Sequence, residues 1–212
     1  MNIINIDKIL DAKLIEEPWQ HFIVDDVLNV DFSNLKFLYD DSIYYQILGE
    51  FTHHKLKIME KHRGDYSKSS SIHDTQSIVR LDLVEPDKHI GKHIDKKPKI
   101  WSMVLYLSSD TFGTGTKLYS KDWNEHSQLI WKQNRALIFP VEPPGITSQI
   151  HSVVNQTNNP RLTMLFNIYD MVVRVDNTDR AHFWTTLQTF SSFMKINTKK
   201  VKKSLDFLVF LS

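Results

Sequence analysis

Gln149-Ile150-His151-Ser152-Val153-Val154-Asn155-Gln156-Thr157-Asn158-Asn159-Pro160-Arg161-Leu162-Thr163-Met164-Leu165-Phe166-Asn167-Ile168-Tyr169 places two strand-like runs on either side of a turn. Apolar and β-branched residues fill both runs, and Asn155 to Pro160 is strong turn chemistry. The stretch reads as a hairpin, with His151 on its first strand and Arg161 opening its second. The same texture extends upstream to Ser77. Ser77 to Val84 alternates with apolar residues at odd positions until Pro86-Asp87 breaks it. Lys99 to Leu107 sends Trp101, Met103, Leu105 and Leu107 one way and Ser102, Val104 and Tyr106 the other. Gly113-Thr114-Gly115-Thr116 marks a turn before a brief Leu118-Tyr119 strand. Gln128–Lys132 and Arg135–Phe139 read as strands around a turn at Asn134, and Pro143-Pro144-Gly145 is a hard stop. Short strands with regular turns predict a sandwich or barrel.

The flanks differ. Glu17 to Leu28 reads as a turn, a short strand, then a helix or loop. Leu35 to Ile58 has looser, helical spacing, and Tyr66 to Ser71 is a polar loop. Thr178 to Lys195 has helical spacing at Phe183, Leu187, Phe190 and Met194. The fold class is therefore mainly β with flanking helices (α+β), in one domain over 1–212. Helical and strand support occupies 1–76, a strand-rich core 77–170, and a helical extension 171–212.

Composition bounds the function. With 41% hydrophobic and 24% charged residues, the 212-residue chain sits near the globular average. Lys+Arg of 26 against Asp+Glu of 25 gives +1, without the basic excess of a nucleic-acid binder. Cysteine is absent, which excludes disulfides, Cys nucleophiles, zinc ribbons and iron–sulfur clusters. With ten histidines, any metal site must use His and carboxylate. No segment approaches the ~20 continuous apolar residues of a membrane helix. Met1 to Lys8 lacks the basic and apolar regions of a signal peptide, so the cytoplasm is the expected compartment.

His93-Ile94-Asp95 is the sharpest local feature. In an extended segment, residues two apart point to one side, so this pair can hold one metal ion. Taken alone, it reads more readily as a solvated loop among Lys92, Lys96 and Lys97. His151 offers a further ligand from a strand flanked by Ile150, Val153 and Val154. Arg161 follows ten residues later, kept near His151 by the hairpin. A cation in an apolar strand needs an anionic partner, and a bound dicarboxylate supplies one by a bidentate pair. Thr163, two residues on, faces the same way as Arg161.

These residues resemble the Fe(II)- and 2-oxoglutarate-dependent dioxygenases, whose pattern is His-x-Asp/Glu, a distal His, then an Arg with Ser or Thr two beyond it. Here they are His93-x-Asp95, His151, Arg161 and Thr163. Arg80 to Pro86 leading into Ile90-Gly91-Lys92-His93 is similar to the strand and turn before the first ligands. Ser102 to Leu107, Gly115 to Tyr119 and Ala136 to Pro140 are similar to later strands. Glu17 to Asp26 resembles the opening of prolyl-4-hydroxylase-like members. The resemblance covers residues 16–170.

It implies a double-stranded β-helix, the cupin-like jelly roll. His93, Asp95 and His151 would be the catalytic iron ligands, leaving positions open as in non-haem Fe(II) oxygenases. Arg161, Thr163 and Tyr106 would bind 2-oxoglutarate. Fe(II), 2-oxoglutarate and O2 are the implied cofactors, with ascorbate as reductant. The implied reaction couples conversion of 2-oxoglutarate to succinate and CO2 with hydroxylation of a small-molecule or peptidyl substrate, such as a prolyl or other amino-acid side chain. Asp95 argues against halogenation, in which relatives lack the carboxylate. Asn167 stands where nucleic-acid demethylases of this kind carry a second arginine, so no nucleic acid is expected.

Two rivals use the same residues. A zinc hydrolase also takes two His and a carboxylate, and His89-x-x-x-His93 has helical zinc-pair spacing, but Gly91 lies between and the Glu of His-Glu-x-x-His is missing. A non-catalytic cupin-like barrel would merely bind a small acid. Bland roles suit the rest. His53, His54 and His62 read as the exposed side and end of a helix. His73, His126 and His182 read as surface residues, and Trp101, Trp123 and Trp131 as core or strand-face residues. Arg80 and Tyr119 serve packing or point into the barrel.

Overall fold

Strands dominate the computed structural model, which describes residues 2–33, 35–63, 75–95, 98–109, 115–141, 149–169 and 185–190. In chain order these form α1 (Ile6–Leu10), β1 (Leu14–Ile15), β2 (His21–Asp25), a 3-10 turn (Lys36–Tyr39), α2 (Asp41–Arg63), β3 (Gln76–Val84), β4 (His89–His93), β5 (Lys99–Tyr106), β6 (Thr116–Tyr119), β7 (Glu125–Gln128), β8 (Arg135–Pro140), β9 (His151–Val154) and β10 (Arg161–Tyr169). Two antiparallel sheets result, with orders β1-β2-β8-β5-β10-β3 and β4-β9-β6-β7. Residues 185–190 are helical, inside the C-terminal span where helix was expected. The rest of that span, the Tyr66–Ser71 loop, the Pro143-Pro144-Gly145 stop, His73 and His182 lie outside the described residues. Among the described residues, no helix is long and apolar enough to cross a membrane.

The alternation in β5 decides how the layers stack. Trp101, Met103 and Leu105 join the main core, where α2 lays Tyr44, Ile47, Phe51, Ile58 and Met59 over one face of the six-stranded sheet. Burying each large apolar side chain there contributes roughly 1.5–3 kcal/mol. Ser102, Val104 and Tyr106 face the interior between the sheets. A smaller apolar cluster of Trp19, Leu118, Leu137, Phe139 and Val141 closes part of that interior. Gly115 lets β6 approach closely, because a Cβ there would run into the Leu129 carbonyl.

Three expectations are corrected. The stretch from Gln149 to Tyr169 is not a hairpin: β9 pairs with β4 and β6, whereas β10 pairs with β3 and β5. The turn at Asn155–Pro160 carries the chain from one sheet to the other. The strand expected at Gln128–Lys132 lies earlier, at Glu125–Gln128. His62 is not exposed but buried at 4%. It continues the α2 stripe four residues after Ile58, stacks on Trp101 and Phe22, and its Nε2–H donates to the Ile9 carbonyl at 2.9 Å.

Burial, aided by Lys61, holds the His62 imidazole at about 4, below its ordinary 6.5. A depressed folded-state value means stability is complete above pH 6.5 and is lost as pH falls towards 4. Wild-type stability in urea should fall over that window by on the order of 3 kcal/mol more than that of His62→Phe. Parallel stability profiles for the two proteins would show that His62 does not resist protonation.

Candidate active site

His93 and His151 face each other across the β4–β9 ladder as register partners. Their ring centroids lie 4.2 Å apart. Each ring is fixed the same way, with Nδ1 2.8 Å from the carbonyl two residues before it, Gly91 for His93 and Gln149 for His151. A carbonyl only accepts, so Nδ1 carries the hydrogen and Nε2 keeps its lone pair. Asp95, two residues beyond His93, brings Oδ1 to 4.0 Å from His93 Nε2. The three residues offer ligand atoms within 4.8 Å of one another. Burial, then the neighbouring His93, lowers the His151 pKa to about 4, so its ring is neutral near pH 7. Phe139 packs on that ring at 5.2 Å.

Across the interior, Arg161 opens β10 with 0% exposure. Among the described residues, its buried Nε, Nη1 and Nη2 have no hydrogen-bond partner. Burial lowers its pKa to about 10, which leaves it charged at neutral pH. The Trp131 ring covers it, 4.8 Å from the guanidinium carbon. Tyr106 stacks against Trp131, with ring centroids 4.3 Å apart and planes at 11°. The Tyr106 hydroxyl donates to Thr116 Oγ1 at 2.8 Å and accepts from the Thr116 N–H at 3.2 Å. One cavity of about 160 Å³ joins His93, Asp95, His151, Arg161, Tyr106 and Thr163.

All six residues singled out in the sequence thus line one space, although His151 and Arg161 come from opposite sheets rather than from one hairpin. Thr163 faces the cavity, but its hydroxyl donates to the Asp82 carbonyl at 3.3 Å instead of projecting freely beside Arg161. Arg80 lines the cavity, whereas Tyr119 bonds Ser152 at 2.8 Å and is not part of the lining. His89 lies on a strand, so the His89–His93 spacing forms no helical zinc pair. Two residues were missed. Trp131, assigned to packing, covers the guanidinium. Lys99 binds Asp95 Oδ2 at 3.0 Å. The signal for Lys99 was a lone charged residue opening a mostly apolar strand.

Neither the family models nor the curated proteins compared with this sequence give a match. Among solved structures, a prolyl 4-hydroxylase from Phytophthora capsici superposes with a TM-score of 0.50 at 13% identity, over 80% of this chain and 68% of that one. The chain shares the fold of that structure. A Pseudomonas putida prolyl-4-hydroxylase gives a TM-score of 0.45 at 16% identity, over 71% of this chain and 68% of that one. A 2OG-Fe(II) oxygenase family protein from Burkholderia pseudomallei gives 0.42 at 13% identity, over 78% and 77%. In this chain the His/Asp cluster sits on β9 and at the end of β4 in the four-stranded sheet, and Arg161 opens β10 in the six-stranded sheet.

Proposed function

We propose that this protein is an Fe(II)- and 2-oxoglutarate-dependent dioxygenase that hydroxylates a small-molecule or peptidyl substrate. One observation carries the reading: a single cavity holds three converging metal donors and a buried guanidinium with no hydrogen-bond partner among the described residues. The donor set of two imidazoles and one carboxylate suits Fe(II) and leaves coordination positions open. When bound, iron with 2-oxoglutarate and O2 supplies the oxidising chemistry, releasing succinate and CO2 beside a hydroxylated product. His93 and His151 present bare Nε2 atoms, and Asp95 presents Oδ1. Arg161 would hold the distal carboxylate of 2-oxoglutarate, with Thr163 able to contact it from the next rung. Tyr106 and Trp131 fix the guanidinium side of the cavity. Val84, Val104 and Leu165 line the wall between and keep it poor in water. The presence of Asp95 supports hydroxylation rather than halogenation.

The sheet orders support a double-stranded β-helix, or jelly roll. From β3 onward the strands enter the two sheets in turn, except that β6 and β7 stay together in one, giving β3-β10-β5-β8 against β4-β9-β6-β7. The zinc-hydrolase reading leaves Arg161 without a role, so the unpaired guanidinium favours the dioxygenase.

Succinate release is the direct test. Protein loaded with Fe(II) and ascorbate should convert 2-oxoglutarate to succinate, and a matching peptide or metabolite pool should stimulate it. Iron and 2-oxoglutarate binding without succinate in any pool would instead identify a non-catalytic acid-binding barrel.

A further inference from the structure

Lys99 departs from the alternation of its own strand. Along β5 and β10 the partners run Ile168 with Trp101, then Tyr169 with Lys99, so one residue is skipped and the ladder bulges. Ile100 and Trp101 consequently both enter the main core, and Lys99 falls on the cavity face with Ser102. Without the bulge, Lys99 would share the face of Trp101, where an ammonium has no partner. Bulges of this kind re-aim side chains beside active sites.

The re-aimed lysine meets Asp95. Its Nζ lies 3.0 Å from Oδ2, with 14% and 13% of the two side chains exposed. Among the described residues, Asp95 is its only hydrogen-bond partner. The two carboxylate oxygens are therefore divided: Oδ2 is held by Lys99, and Oδ1 faces His93 Nε2. A free carboxylate can turn and offer both oxygens to a cation. One pinned by an ammonium offers a single oxygen.

We infer that Lys99 is a positioning residue that confines Asp95 to one-oxygen ligation and so keeps a coordination position open for the co-substrate. The inference rests on the iron-site reading above. It concerns orientation, so Arg, which can donate to Oδ2 from a similar reach, should substitute, whereas Met, of similar length but without a donor, should not.

The test uses Co(II) and Mn(II) as probes in wild type, Lys99→Met and Lys99→Arg. Lys99→Met should bind Mn(II) nearly as well as wild type. Its 2-oxoglutarate affinity in the Mn(II)-loaded protein should fall roughly tenfold or more, and its Co(II) visible spectrum should change with the added carboxylate oxygen. Lys99→Arg should restore both readouts. If Lys99→Met does not fold, Lys99→Gln replaces it, with a smaller change in the same direction. A purely structural lysine would lower thermal stability and leave the spectrum and the 2-oxoglutarate affinity unchanged, which would overturn the inference alone. Wild type that binds neither metal would overturn the iron-site reading together with it.

Discussion

Asp95→Ala is expected to weaken divalent-metal binding by about 100-fold or more and to reduce Fe(II)-dependent succinate formation to background. Outer partners of metal ligands already cost roughly 10- to 100-fold when removed, and a ligand should cost no less. Asp95 is the only carboxylate in the three-residue cluster, so its loss also removes the anionic charge that a dication requires. Mn(II) titration by calorimetry measures the first effect, and product analysis the second. The control is Asp95→Asn, which keeps an oxygen for Lys99 and separates the loss of charge from the loss of that hydrogen bond. Unchanged metal affinity in Asp95→Ala would remove Asp95 from the ligand set.

Arg161→Met should have opposite effects on co-substrate binding and on stability. Losing a buried, charged hydrogen-bond partner typically costs ~2–5 kcal/mol, so the 2-oxoglutarate requirement should rise at least tenfold. Metal binding should persist, because Arg161 lies on the other sheet from His93 and His151. The ligand-free protein should be as stable as wild type or more so. Its guanidinium is wholly buried, with three nitrogens unpartnered among the described residues, and a hydrophobe of similar size relieves that burden. Thermal unfolding without ligand and calorimetry with 2-oxoglutarate report the two effects separately. A destabilised variant with unchanged 2-oxoglutarate affinity would make Arg161 a structural residue.

The strands that carry the site were legible where one face is buried. β5 and β10 show a period of two because one side packs on α2 and the other lines the cavity. The site residues were legible as types and spacings, but their meeting was not. His93 and His151 are register partners across 58 positions of chain, and no local pattern encodes that pairing. The Asn155–Pro160 turn signals a reversal without specifying the sheet each strand joins, hence the misread hairpin. β7 was displaced because Glu125–Gln128 is a polar edge strand, while the apolar Leu129-Ile130-Trp131 that follows is irregular. Trp131 looked like packing because its partner, Arg161, comes 30 positions later. His62 was misjudged by residue type, although its place on the α2 stripe gave the burial away.

Among the described residues β4 is an edge strand, paired on one side only, with four of its five residues exposed and an irregularity between Ile90 and His93. Such a strand has little burial to fasten it. Under the proposed ligation, an ion shared by His93, Asp95 and His151 would act as a clasp between this loose margin and β9. Metal loading would then tighten the hem of the sheet as well as arm the chemistry, and amide hydrogen exchange in β4 would slow far more on loading than exchange in β5 or β10.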